Sequence, residues 1–274
     1  MEQQMIIRVL SDNIENGALR GEWGLSLLIE YEGKKVLLDS GASSLFAENA
    51  VMMGIDLAAV DYAVLSHAHY DHSDGMDAFF DRNGSACFYL SSGCGENCYC
   101  IEEDGLEYIG IRRGLLEKYS SRIRYSGKNQ ELFPGAYLLC HSTPGLETIG
   151  EKAKMYTGEP SHLVFDDFAH EQILVFDTPR GLAVFCSCSH AGVDNIIREV
   201  KTEYPGKEIY AYVGGMHLYE SSDDDVLSVA RVLALNGIRH VITGHCTGDR
   251  AFDILKAELD CDIIKMHSGL VLEI

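Results

Sequence analysis

No apolar run in the 274-residue chain approaches the ~18 residues that a membrane-crossing helix needs. The start, MEQQMIIRVLSDN, has no basic segment followed by a long apolar one, so it does not read as a signal peptide. Internal repeats, low-complexity tracts and long Pro/Gly/Ser linkers are missing too. Together these absences predict a soluble, cytoplasmic protein. Basic residues are scarce: 22 Lys and Arg face 42 Asp and Glu, a formal net charge of −20. Such a field repels nucleic acid and anionic membrane, so neither is an expected partner. The lack of any basic cluster also argues against a nuclease. A small anionic substrate is still compatible, because one bound metal can dominate the local charge. No G-x-G-x-x-G follows a strand pattern, which removes the usual dinucleotide site.

Hydrophobic residues make up 46% of the chain, ample for a core, and residues 1–274 read as a single domain. The nine cysteines are an odd number without a signal peptide, which excludes a secreted disulfide framework. Cys94, Cys98 and Cys100 crowd together in GCGENCYC. They could bind metal or form a redox pair. No second C-x-x-C completes a zinc ribbon, so a reduced, structural cluster is the favoured reading.

The first part of the chain reads as strands: MIIRVL, GLSLLIEY and EGKKVLLDSG, with Glu32-Gly33 as a hairpin turn. SLFAENAVMMGI has helical periodicity, and DYAVLS reads as a short buried strand. DGMDAFFDRNG is a short helix and CFYLSS a strand. Residues 93–135 look irregular, an insertion or lid rich in Gly, Cys and charge. Later segments alternate. Strands AYLLCHS, EQILVF, GLAVFCSCS, EIYAYVGG and HVITGH are interleaved with helices GVDNIIREVKTEY, SSDDDVLSVARVLALNG and DRAFDILKAEL, and IIKMHSGLVLEI closes with strands. A strand-rich first half and an alternating second half suit two sheets between helices, an α+β layered fold.

The chemistry concentrates in SHAHYDHSDG, residues 66–75. It follows a strand, where layered folds of this kind place their sites. His67 and His69 are two apart and can ligate one metal through imidazole nitrogen. Asp71 can bind a second metal or accept a hydrogen bond from a metal-bound water, and His72 follows it. Three more histidines stand just beyond apolar strands, each beside a small residue: His190, His217 and His245. His190 and His245 are expected ligands. His217 is open between ligand, substrate contact and structure. His141, His162, His240 and His267 have no comparable setting, whereas His170 and Glu171 in DDFAHEQ could line the site. Asp39, ending KVLLDSG, is expected to orient the histidine loop by hydrogen bonds, as outer carboxylates do for metal-bound imidazoles.

These motifs resemble the metallo-β-lactamase-fold superfamily of metal-dependent hydrolases. With FCSCSHAGVDNI, VGGMHL and TGHCTG they are similar to the branch of the archaeal dihydropterin–aminobenzene ribofuranosyl phosphate synthase. The resemblance implies an αββα four-layer sandwich with two mixed sheets flanked by helices. It implies His67, His69 and His190 on one metal, and Asp71, His72 and His245 on a second. Two departures stand out. Ser189 and His190 occupy the place where most members carry a bridging aspartate. Leu146 and Glu147 follow STPG where a ligand histidine is frequent, and His190 is the expected substitute.

The expected activity is hydrolysis of a small anionic phosphate, pyrophosphate or ester by a metal-activated water. Asp71 would position the nucleophile, and His217 would contact substrate or act as acid. One alternative is transfer, joining a dihydropterin methyl pyrophosphate to an aromatic ribofuranosyl phosphate. Another is a di-iron redox protein, disfavoured because the donor set is rich in histidine and poor in carboxylate. A last alternative is a ligand-binding protein with an inherited metal site. One or two divalent metals are expected. Zinc is favoured, with manganese, iron and magnesium open. Oligomeric state is not legible.

Overall fold

The computed structural model describes residues 4–274. Its strands are β1 (Ile6–Ser11), β2 (Ser26–Tyr31), β3 (Lys34–Leu38), β4 (Tyr62–Val64), β5 (Phe88–Ser91), β6 (Cys98–Glu102), β7 (Gly105–Tyr108), β8 (Ile123–Ser126), β9 (Gln130–Phe133), β10 (Ala136–Cys140), β11 (Met155–Glu159), β12 (His162–Phe165), β13 (Gln172–Thr178), β14 (Gly181–Phe185), β15 (Ile209–Val213), β16 (His240–Thr243), β17 (Asp262–Lys265) and β18 (Val271–Glu273). Its helices are α1 (Leu45–Met52), α2 (Tyr70–Ser73), α3 (Met76–Arg82), α4 (Leu115–Lys118), α5 (Glu147–Ala153), α6 (Val193–Glu203), α7 (Asp223–Leu235) and α8 (Asp249–Glu258). The chain forms two compact units, one of residues 4–127, 144–172 and 267–274, the other of 128–143 and 173–266.

In the first unit a seven-stranded mixed sheet runs β18-β1-β2-β3-β4-β5-β8. The β2–β3 hairpin turns at Glu32 (φ 52°) and Gly33 (φ 72°). Positive φ at both central residues is the type I′ turn whose twist matches the strands. From β3 the sheet becomes parallel through β4, β5 and β8. Phe46 of α1 and Phe79 of α3 are buried with Leu28, Leu37, Phe88 and Leu90 of the strands. Each such side chain contributes roughly 1.5–3 kcal/mol relative to exposure. A second, four-stranded sheet of this unit, β12-β11-β6-β7, is antiparallel.

The other unit holds a seven-stranded sheet, β17-β16-β15-β14-β13-β10-β9. Strands β14 to β17 are parallel. Their connecting helices bury Ile196, Val200, Val226, Leu233 and Leu255 with Val184, Tyr212 and Val241. Ser222 caps α7, its Oγ accepting from Asp225 N–H at 3.2 Å, and Asp223, Asp224 and Asp225 set negative charge at the positive helix end.

Residues 93–135 are not irregular throughout. They contain β6, β7, α4, β8 and β9. The polar, glycine-containing composition hides short strands whose partners are distant, such as β6 on β11. The closing strands also part company: β17 pairs with β16 and β18 with β1. Among the described residues, no helix is long and apolar enough to cross a membrane.

Candidate metal centre

Parallel pairing of β3 with β4 sets Leu38 beside Val64, so Asp39 leaves the sheet next to the start of the histidine loop. Its N–H donates to Val64 O at 2.9 Å, and its φ of 63° is left-handed. The buried carboxylate accepts from Ser66 N–H (2.7 Å), Ser66 Oγ (2.7 Å) and His72 Nδ1 (2.8 Å). A carboxylate only accepts, so the single Ser66 hydroxyl proton is committed to Asp39. Ser66 Oγ lies 2.8 Å from His67 Nδ1 and must accept there. His67 and His72 both therefore carry a proton on Nδ1, which leaves Nε2 as the nitrogen a metal can take.

The remaining groups of the loop gather beside these. The His67 ring lies 4.6 Å from that of His69 and 4.1 Å from that of His72, centre to centre. All three are buried. Burial drives the His69 pKa down to about 3, so the ring is neutral and can ligate. His72 behaves oppositely. Burial would lower its pKa, but Asp71 and Asp39 outweigh it and raise the value to about 10. Asp71 Oδ2 is 3.5 Å from His72 Nε2. Charges that draw a proton to His72 draw a metal cation equally. Three imidazoles and one carboxylate thus gather in one buried loop, and these donor types suit divalent metals.

Residues 166–172 lie against the same loop. Gln172 N–H donates to Ser66 O at 2.8 Å, and its side-chain amide donates to Leu65 O (2.8 Å) and Tyr89 O (2.9 Å). His170 Nδ1 accepts from Ala68 N–H at 3.2 Å, and His170 Nε2 is 2.9 Å from Asp166 Oδ2. Burial pushes the Asp166 carboxyl up, yet the hydrogen bond from His170, with that from Phe168 N–H, more than offsets this and holds it below its ordinary value. Glu171 is buried in this segment, its N–H bonded to Phe168 O at 2.9 Å. Cys98, His69, Asp166 and His170 offer donor atoms within 4.8 Å of one another. Cys94 donates its thiol to His170 O at 3.2 Å, whereas Cys100 lies by Glu102 at 3.6 Å.

The second unit carries three histidines past the C-terminal ends of parallel strands: His190 after β14, His217 after β15 and His245 after β16. The His190 and His217 rings are 4.4 Å apart. Ser189, His217 and His245 have φ of 57°, 48° and 48°, conformations that cost of order 1–2 kcal/mol outside glycine. The neighbouring loops hold them there. Met216 N–H donates to Thr247 Oγ1 (3.0 Å) and Leu218 N–H to Cys246 O (2.9 Å). Ser189 Oγ donates to Gly215 O at 2.7 Å and lies 2.8 Å from the Tyr212 hydroxyl.

Cys188 and Cys246 were absent from the residues singled out by sequence. Their sulfurs are 3.3 Å apart, and with His245 they offer donors within 4.8 Å of one another. The signal was present: each cysteine sits within two residues of an expected ligand, in CSCSH and GHCTG. Asp166 was missed as well, since only the fold brings it to His170 and the histidine loop.

The metallo-beta-lactamase superfamily model matches residues 23–111, a stretch containing Asp39 and the histidine loop. The chain is 25% identical over 273 residues to the 7,8-dihydropterin-6-methyl-4-(beta-D-ribofuranosyl)-aminobenzene-5'-phosphate synthase of Methanocaldococcus jannaschii, covering 94% of this chain and 92% of that protein. It is 29% identical to a solved metal-dependent hydrolase of the beta-lactamase superfamily, with a TM-score of 0.82 over 98% of this chain and 99% of that one. A diphosphatase from the PhnP family shares the fold at 16% identity, covering 100% of this chain and 98% of that one, with a TM-score of 0.54. The chain has the metallo-β-lactamase fold, carries in residues 23–111 the stretch that matches the superfamily's model, and resembles the branch of the archaeal synthase.

Proposed function

We propose that the chain is a metal-dependent hydrolase acting on a small anionic phosphate, pyrophosphate or ester. The observation that carries this reading is the donor loop itself. Asp39 fixes the tautomers of His67 and His72, burial keeps His69 neutral, and Asp71 adds a carboxylate. We assign His67, His69 and His190 to one metal and Asp71, His72 and His245 to a second, as the resemblance implies. A divalent metal, when bound, activates a water and polarises the scissile group. Asp71 holds and orients the nucleophile's proton. His217, its N–H fixed on Cys246 Sγ at 3.3 Å, contacts the substrate or protonates the leaving group. A donor set of mostly neutral imidazoles leaves the loaded site positive, which favours an anionic substrate despite the acidic surface.

The second reading is transfer between a dihydropterin methyl pyrophosphate and an aromatic ribofuranosyl phosphate. It rests on the similarity to the archaeal synthase along most of the chain. Both reactions need a clamp on a phosphate leaving group. Product analysis separates them. Given a pterin methyl pyrophosphate and an aromatic acceptor, hydrolysis releases free hydroxymethylpterin, and transfer yields a coupled adduct. A D71N variant should lose about 10²–10⁴-fold in turnover, the usual weight of a positioned acid–base group. Unchanged ligand binding with no turnover in either protein would instead favour a non-catalytic binding role.

A further inference from the structure

We infer that Asp166 and His170 are positioning residues that set the backbone between His67 and His69. The four donors His69, Cys98, Asp166 and His170 invite a rival reading as a metal site in their own right. The hydrogen bonds argue against it. His170 Nδ1 accepts the Ala68 N–H at 3.2 Å, so Nδ1 is the unprotonated nitrogen and the ring proton sits on Nε2. That proton is donated to Asp166 Oδ2 at 2.9 Å. A metal on Nε2 would force the ring proton onto Nδ1, pointed at the Ala68 N–H. Two donors would then face each other in a buried setting, which costs the desolvation of both.

The pair is itself held firmly. Asp166 Oδ1 accepts from Phe168 N–H at 2.7 Å. Ser91 Oγ donates to Ala169 O at 2.6 Å. A Cβ on Gly93 would lie 2.4 Å from the Ala169 carbonyl, so the chain there admits only glycine. The result is a relay from Asp166 through the His170 ring to one amide, and that amide lies between the two histidines. Ser66 O and Leu65 O, just upstream, are fixed by Gln172 of the same segment. Asp39 orders the rings of the loop, and residues 166–172 order its main chain.

The consequence for metal retention rests on the metal reading above; the tautomer does not. Long-range nitrogen–proton correlation spectra of the full chain, metal-free and zinc-loaded, read the His170 ring directly. A protonated Nε2 and bare Nδ1 in both states is the expected result. A protonated Nδ1, or a zinc-bound Nε2, overturns the inference and makes the quartet a metal site. Zinc competition with a chelator tests the positioning role. Asparagine places an acceptor oxygen near the position of Nδ1, so H170N should stay close to wild type. H170L fills the space without an acceptor and should weaken zinc by about 10–100-fold. Equal losses in the two variants overturn the role. A wild-type chain that takes up no zinc sinks the metal reading alone, since the metal-free spectra still uphold or overturn the pairing.

Discussion

Asp39 sets the tautomer of His67 through the Ser66 hydroxyl that lies between them. Its carboxylate takes the only Ser66 hydroxyl proton, and Ser66 Oγ must then accept from His67 Nδ1. The same carboxylate takes the His72 Nδ1 proton directly. One buried acid therefore holds Nδ1 of both rings and leaves Nε2 of each as the nitrogen a metal can take. D39A should cost about 2–4 kcal/mol in urea unfolding, because Ser66 N–H and His72 Nδ1 lose a buried acceptor. It should also weaken zinc by about 10–100-fold in chelator competition. D39N should unfold less readily than D39A, since asparagine tolerates the left-handed backbone and keeps one acceptor. S66A should weaken zinc while leaving the Asp39–His72 bond in place.

A second buried acid, Glu199 of the other unit, contributes to stability. Glu199 of α6 accepts from Ser142 N–H (2.8 Å), Thr143 N–H (2.7 Å) and Thr143 Oγ1 (2.7 Å), with His141 Nδ1 at 2.7 Å. Burial pushes its pKa up, but His141 and these donors bring it down to about 2. An unfolded glutamate titrates near 4.3. The stabilisation is thus complete above about pH 4.3 and lost as pH falls toward 2, about 2–3 kcal/mol in all. Denaturation of E199Q should be less stable at neutral pH and should lack this loss. An equal pH slope in both proteins would contradict the assignment.

Two glycines should behave differently for a physical reason. Gly33 has φ 72° and open space around it, so G33A should cost only about 1 kcal/mol of backbone strain. At Gly75 a Cβ would lie 1.9 Å from Ser40 O and 2.6 Å from Ser43 O. Ser40 N–H donates to His72 O at 2.8 Å, so the clash is transmitted to the metal loop. G75A should therefore lower both melting temperature and zinc retention, whereas G33A should leave zinc retention unchanged.

What the sequence revealed and what it hid follow one line. Period and turn chemistry are local, so β2–β3 with its Glu32-Gly33 turn, the helix α7 and the strand ends before His67, His190, His217 and His245 were all readable. Partners far apart in sequence were not. The Ala68–His170 bond spans 102 residues and the Cys188–Cys246 contact 58. Strands β11 and β12 were missed because MYTGEPSHLVF mixes polar and apolar residues without a clean alternation. Asp39 was legible as a partner of the histidine loop. That it works through Ser66 was not legible, because this depends on which atom holds one proton.

The most direct test is the metal content of the full chain, measured by elemental analysis on protein purified without chelators or a histidine tag. The account predicts about one or two equivalents of divalent metal per chain, as hydrolytic sites of this chemistry hold. The content should fall in a variant lacking His67 and His72. No metal, even after zinc or manganese is added back, would contradict it.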